Sequence, residues 1–139
     1  MIRKISLLDR AKADLQSAQL ILSQNSHDEL LLDIAAYHVQ QGIEKLVKFT
    51  LASNGVQYKQ THDMFILLEQ LEDADIEIMP WLEENADTLN SYATKTRYGS
   101  DIVATRKKII HLRELAGDYA ISLQPERSED DTVKPNNLV

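Results

Sequence analysis

Between Ala35 and Lys48, the residues His38, Gln41, Lys45 and Lys48 recur at steps of three and four. That spacing stacks side chains along one side of an α-helix, so their polar heads can reach a common ligand. One reading is a binding face for a phosphate-bearing ligand or a partner protein. The other is a solvated face in which Gln41–Lys45 and Glu44–Lys48 form ordinary i,i+4 pairs. Spacing alone leaves both open.

Other chemistries lack their residues. The chain has no cysteine, which removes disulfides, thiolate zinc sites and a cysteine nucleophile. The four histidines (His27, His38, His62, His111) are scattered, with no pair at tight metal-ligand spacing. There is no HExxH, no GxSxG and no glycine-rich phosphate loop. The sequence therefore calls for neither a metal nor a cofactor.

The elements that must position these side chains read as helices. Leu8, Ala11, Leu15, Ala18 and Leu22 mark a first helix from about Ile5 to Ser23, with Ser6 as its cap and Asp9 in its first turn. A second, the longest, spans Asp28 to Ser53. Ser26 with Glu29 forms its capping-box signature, Leu32, Ala35, Val39, Ile43, Leu46 and Thr50 form its stripe, and Ala36 and Val47 widen that stripe. Asn54-Gly55 stops it, and Gly42 at its middle implies close packing on another helix. A third helix covers Asp63 to Glu72, with Phe65, Leu68 and Leu71 facing inward. A fourth starts near Pro80 and runs to about Thr96 through Trp81, Leu82, Ala86, Leu89 and Ala93. A fifth spans Asp101 to Leu123, capped by Ser100, on Ile102, Ile109, Leu112, Ala116 and Tyr119. The fold class is all-α, a four- to five-helix up-and-down bundle over residues 1–124. The polar, acidic stretch 125–139 reads as a disordered tail.

One domain suits 139 residues. Four glycines and three prolines are too few to punctuate a β fold. A net charge of −7 argues against coating duplex DNA, although a local basic pocket remains compatible with it. No apolar run approaches the ~20 residues of a membrane span. Charged residues follow Met1-Ile2-Arg3-Lys4 too soon for a signal peptide. The expected compartment is the cytoplasm.

Three segments resemble a known family. The run Ala35-Ala36-Tyr37-His38-Val39-Gln40-Gln41-Gly42-Ile43-Glu44-Lys45-Leu46-Val47-Lys48 is similar to the second helix of HEPN domains. Thr61-His62-Asp63 with Leu67-Leu68 resembles the family's histidine-containing segment. Tyr92 with Thr96-Arg97-Tyr98-Gly99 resembles its Arg-Tyr segment, with Gly99 in place of a proline. The resemblance implies a helical bundle, usually dimeric. Many members are encoded beside a minimal nucleotidyltransferase and form one half of a toxin–antitoxin pair. Others are metal-independent ribonucleases that use an Arg followed four to six residues later by a His at a dimer cleft.

Arg106 and His111 satisfy that last pattern. A near-neutral histidine can take the proton of a 2′-hydroxyl, and a bidentate arginine can hold the phosphate as charge builds on it. Five residues along a helix turn roughly 140°, so the pair shares a face only across a bend or a dimer. Otherwise Arg106, Lys107 and Lys108 form a solvated face with His111 beside it. Arg97 has no histidine at that distance, so it reads as an anion-binding residue. With Tyr98 it joins His38, Gln41 and Lys45 as the candidate ligand surface; the alternative is a structural tie from Arg97 to Glu44. The leading reading is a HEPN-like component of a toxin–antitoxin or nucleotidyltransferase-associated system that binds nucleotide, RNA or the partner enzyme. The alternatives are a ribonuclease using Arg106 and His111, and a helical interaction module without chemistry. A homodimer is expected, from the resemblance and from the apolar Leu30, Leu31, Ile34 and Val47 lying off the main stripe.

Overall fold

The computed structural model describes residues 6–25, 27–94 and 104–124. These form five helices and no strand: α1 (Leu7–Leu22), α2 (Glu29–Ser53), α3 (Met64–Asp73), α4 (Pro80–Thr94) and α5 (Arg106–Leu123). The all-α bundle is therefore what the periodicity implied. The long α2 is central and packs against each of the other four helices, most extensively against α1. Cross-links fix the directions. Asp14 meets Lys45 and His38, and the short connection between Leu22 and Glu29 turns α2 back along α1, so the two are antiparallel. The backbone carbonyls of Leu22 and Leu15 accept from Arg106 and Arg113, so α5 also runs against α1. The Met64 N–H donates to Asn90 at 2.8 Å, pairing the start of α3 with the far end of α4.

Helix starts follow local hydrogen bonding. The Ser6 hydroxyl accepts from the Asp9 N–H at 3.1 Å, and the Asp9 carboxylate accepts from the Ser6 N–H at 3.2 Å. This reciprocal box satisfies two otherwise unpaired donors. Asp28 caps α2, its carboxylate accepting from the Leu30 N–H at 2.8 Å. Ser26, the expected cap partner of Glu29, lies outside the described residues. At α5 the expected start at Asp101 is corrected. Ala104 and Thr105 are not helical, and the Thr105 hydroxyl accepts from the Lys108 N–H at 3.2 Å, so the helix begins at Arg106. Apolar phase alone carried the stripe back to Ile102, but the boundary is set by the capping side chain. Ser100, Ile102 and the expected end of helix 4 at Thr96 lie outside the described residues, as does the tail 125–139.

A second correction concerns α3. Its buried stripe is Met64, Leu67, Leu68 and Leu71, and Phe65 is 53% exposed. Steps of three alone, 65–68–71, drift by about 60° each, whereas the alternating 64–67–68–71 set stays on one face. A third concerns α2. Val47 is fully buried within the bundle and offers no outward surface, while Leu30 and Ile34 are exposed at the helix's start.

Gly42 has the role its mid-helix position implied. A Cβ there would lie 2.8 Å from Leu15 Cδ2 and 3.3 Å from the Ala11 carbonyl oxygen. Its absence lets α1 and α2 approach closely, with Ala11, Ala18, Ala35 and Ala36 also fully buried. At the other end of the bundle, Tyr119 packs edge-on to Trp81 with centroids 6.3 Å apart, and its hydroxyl lies 2.5 Å from that of Thr50. Burial pushes this phenol up to about 12, against the lowering effect of the Thr50 hydrogen bond.

Gly42→Ala is expected to destabilise the fold by about 1 kcal/mol, because overpacking at Leu15 outweighs the helix-propensity gain of alanine. Thermal melting followed by circular dichroism measures this; an unchanged or raised Tm contradicts the close-approach account.

Candidate functional site

The polar face of α2 converges, and it converges on an acid of α1. Asp14 is largely covered, and its carboxylate accepts from Lys45 Nζ at 2.6 Å and His38 Nδ1 at 3.0 Å. A carboxylate has no proton to give, so His38 carries its hydrogen on Nδ1. Lys45 also reaches Gln41 Oε1 at 3.3 Å. Gln41 donates to Gln40 Oε1 at 2.8 Å, and Gln40 donates to Glu44 Oε1 at 2.9 Å. His38, Gln41 and Lys45 thus share one face; His38 and Lys45 are directed inward at Asp14, and Gln41 bridges Lys45 to Gln40. Arg97 and Tyr98, expected beside them, lie outside the described residues.

That chain of bonds ends on Glu44, whose side chain is only 4% exposed. Lys48 Nζ donates to its Oε2 at 2.9 Å, and His62 Nδ1 lies 3.0 and 3.1 Å from its two oxygens. Lys48 also stands 5.4 Å from the centre of the Tyr58 ring, a cation–π distance. Burial would raise the Glu44 pKa, but the hydrogen bonds from His62, Lys48 and Gln40, with the Lys48 charge, outweigh it and hold the carboxyl below its ordinary value. The partner expected for Glu44 at Lys48 is present, joined by a histidine from the loop before α3. Asp63 is the cap of α3, so His62 is free for this contact.

The first turns of α5 are different. Lys107 and His111 are exposed, Lys108 is half-buried, and none of the three forms an ion pair among the described residues. Lys107 and Lys108 lie four and three residues before His111, so all three project from one side of the helix. Arg106 is directed toward the end of α1, donating to the Leu22 carbonyl. Because α5 is continuous from Arg106 to Leu123, Arg106 and His111 leave it roughly 140° apart. Among the described residues no cluster of three or more His, Asp or Glu side chains is arranged to hold a metal ion, and no helix is long and apolar enough to cross a membrane.

The HEPN domain family model matches residues 6–118. The chain belongs to the HEPN domain family. Comparison with curated proteins and with solved structures gave no significant match. Membership associates this HEPN domain with the nucleotide- or RNA-related and toxin–antitoxin-type roles of its family. It also clarifies the three resembling segments. Glu44 in the first is bonded to His62 in the second, and Tyr92 from the third is fully buried in the core. Two family segments are thus joined by one hydrogen-bonded contact, from the exposed His62 ring to the buried Glu44 carboxylate.

Sequence reasoning missed Asp14. Its signal was an acid beside the apolar stripe of α1, one residue before Leu15, where a purely solvated side chain is not required.

Glu44→Gln is expected to cost about 3 kcal/mol at pH 7, since it leaves Lys48 without its carboxylate in a largely dry setting. The folded pKa of Glu44 is depressed, so its contribution is full above the ordinary carboxyl value of 4.5 and is lost as pH falls through the lower folded value. Chemical denaturation of both proteins from pH 7 to pH 3 should show the gap constant above 4.5 and narrowing as pH falls below it. A gap that stays constant across the range contradicts the ionic role.

Proposed function

We propose that this protein is the HEPN component of a two-protein toxin–antitoxin or nucleotidyltransferase-associated system, and that it meets a phosphate-bearing ligand, RNA or nucleotide, on the basic first turns of α5. The observation that carries this reading is the contrast between two sets of basic side chains. Lys45, Lys48, His38 and His62 all face buried or half-buried carboxylates. Lys107, Lys108 and His111 stand together without such partners, on a chain whose overall charge is −7. A local positive patch against an acidic average attracts phosphate.

The second reading is a metal-independent ribonuclease. It is favoured by the exposed His111, whose imidazole has no protein partner among the described residues. With Arg106 on another side of the same helix, this chemistry needs Arg106 of one copy beside His111 of another, hence a homodimer. His111 would then take the 2′-hydroxyl proton, and Arg106 would hold the phosphate.

Fluorescence anisotropy with a labelled single-stranded RNA tests the binding surface. Lys107→Glu with Lys108→Glu should weaken binding at least about tenfold and reduce its salt dependence, with stability within about 0.5 kcal/mol of the parent. Unchanged affinity overturns the α5 assignment. RNA cleavage in EDTA that disappears in His111→Ala selects the ribonuclease reading; binding without cleavage selects the non-catalytic one.

A further inference from the structure

The charge of this chain is distributed unevenly. Residues 60–94, which contain α3, α4 and their connection, hold nine Asp and Glu and no Lys or Arg. That exceeds the net −7 of the whole chain, so everything outside the hairpin is net positive. On this hairpin Phe65 projects with 53% of its surface exposed, beside an open groove that it shares with Leu68, Ile78, Glu69, Glu72 and Glu83. Leu68 is buried and Ile78 half-buried, so they give the groove an apolar floor, and the three glutamates are exposed around it. None of those glutamates forms an ion pair among the described residues. Lys59 lines a neighbouring groove with Glu69 and Asp73.

Scattered exposed apolar residues are ordinary on a protein surface. Here the aromatic sits over an apolar floor inside a field of one sign, and those features together select an occupant. A phosphate ligand is repelled by three carboxylates. A neutral apolar segment would fill the floor but leave the carboxylates desolvated and unpaired at the rim. An amphipathic segment with one large apolar side chain flanked by Lys or Arg satisfies both, placing its anchor against Phe65 and its cations on the glutamates. It also relieves the repulsion that so many like charges impose on the hairpin.

We propose that the α3–α4 groove is a docking surface for a basic amphipathic segment of a partner protein, anchored on Phe65 and held by Glu69, Glu72 and Glu83. This surface is distinct from the α5 turns and does not rest on the phosphate reading. The protein thus has two faces of opposite preference, one for a polyanion and one for a cationic polypeptide.

The probe is a fluorescein-labelled helical peptide of about sixteen residues, built of lysine and leucine with leucines at i, i+3, i+4 and i+7. Its anisotropy is measured with the full chain and with Phe65→Ala, Glu72→Lys and Asp118→Lys, the last placing the same charge change on an exposed position of α5. The groove predicts micromolar binding, at least about tenfold weaker in Phe65→Ala and Glu72→Lys and within about twofold of the parent in Asp118→Lys. Absent binding overturns the proposal. So does an equal loss in Asp118→Lys and Glu72→Lys, which would show attraction to net charge alone. Sedimentation of the unliganded chain closes the remaining alternative: a dimer that dissociates in Phe65→Ala assigns the groove to a second copy and overturns the proposal. Failure here leaves the RNA affinity of the α5 turns untouched, and the Lys107/Lys108 variant leaves peptide binding untouched, so the two claims fail separately.

Discussion

A carboxylate buried in the middle of the central helix constrains much of this fold. Glu44 sits on α2 with almost no solvent, and an ionised acid there persists only when its lone pairs are met. Gln40 and Lys48 meet them from the same helix, and His62 meets them from the loop leading into α3. The last contact links the chain after α2 to the central helix, next to the buried Met64, Leu67 and Leu71 that seat α3 in the core. From Gln40 the network continues through Gln41 and Lys45 to Asp14, reaching α1 at the seam that Gly42 allows to close. One hydrogen-bonded chain thereby ties α1, α2 and the approach to α3.

That arrangement bears on function by using up groups. A histidine, a glutamine and two lysines on one helical face have the composition of a ligand site, but here Asp14 and Glu44 occupy the histidine and the lysines, and Gln41 is taken up by Gln40 and Lys45. Among the described residues Lys107 and Lys108 stay unpaired on α5, and nine acids without a Lys or Arg are concentrated in the α3–α4 segment. A bundle with its central polar groups internally paired and opposite charges at separate places has the layout that the two proposed surfaces require. This fits one half of a two-component system acting on nucleic acid or nucleotide.

Much of the fold was legible. The stripes of α1 and α5, the stop at Asn54-Gly55 and the close approach at Gly42 follow from periodicity and from the steric demands of single residues. What failed did so for local reasons. Phe65 was placed inward because a three-residue step was followed where the alternating step governs, and α5 was begun early because an in-phase apolar residue outweighed an unrecognised Thr105 cap. The α2 face was visible as a pattern, but its meaning depended on Asp14, about thirty residues away, and no spacing rule connects an acid on one helix to a lysine on the next. The acidic hairpin was written in the sequence as a run of residues without a Lys or Arg; its apolar floor appears only once α3 and α4 are side by side.

The central claim is that the α2 face is an internal brace, and a double-mutant cycle between helices tests it most directly. Asp14→Asn, Lys45→Gln and the double variant are denatured chemically at neutral pH, and each is titrated with the same single-stranded RNA. The account predicts that each single change costs about 1–2 kcal/mol, that the double variant loses about 1 kcal/mol less than the two together, and that RNA affinity is unchanged throughout. Negligible coupling with intact stability, accompanied by loss of RNA binding in Lys45→Gln, would contradict it and return the α2 face to the role of a ligand site.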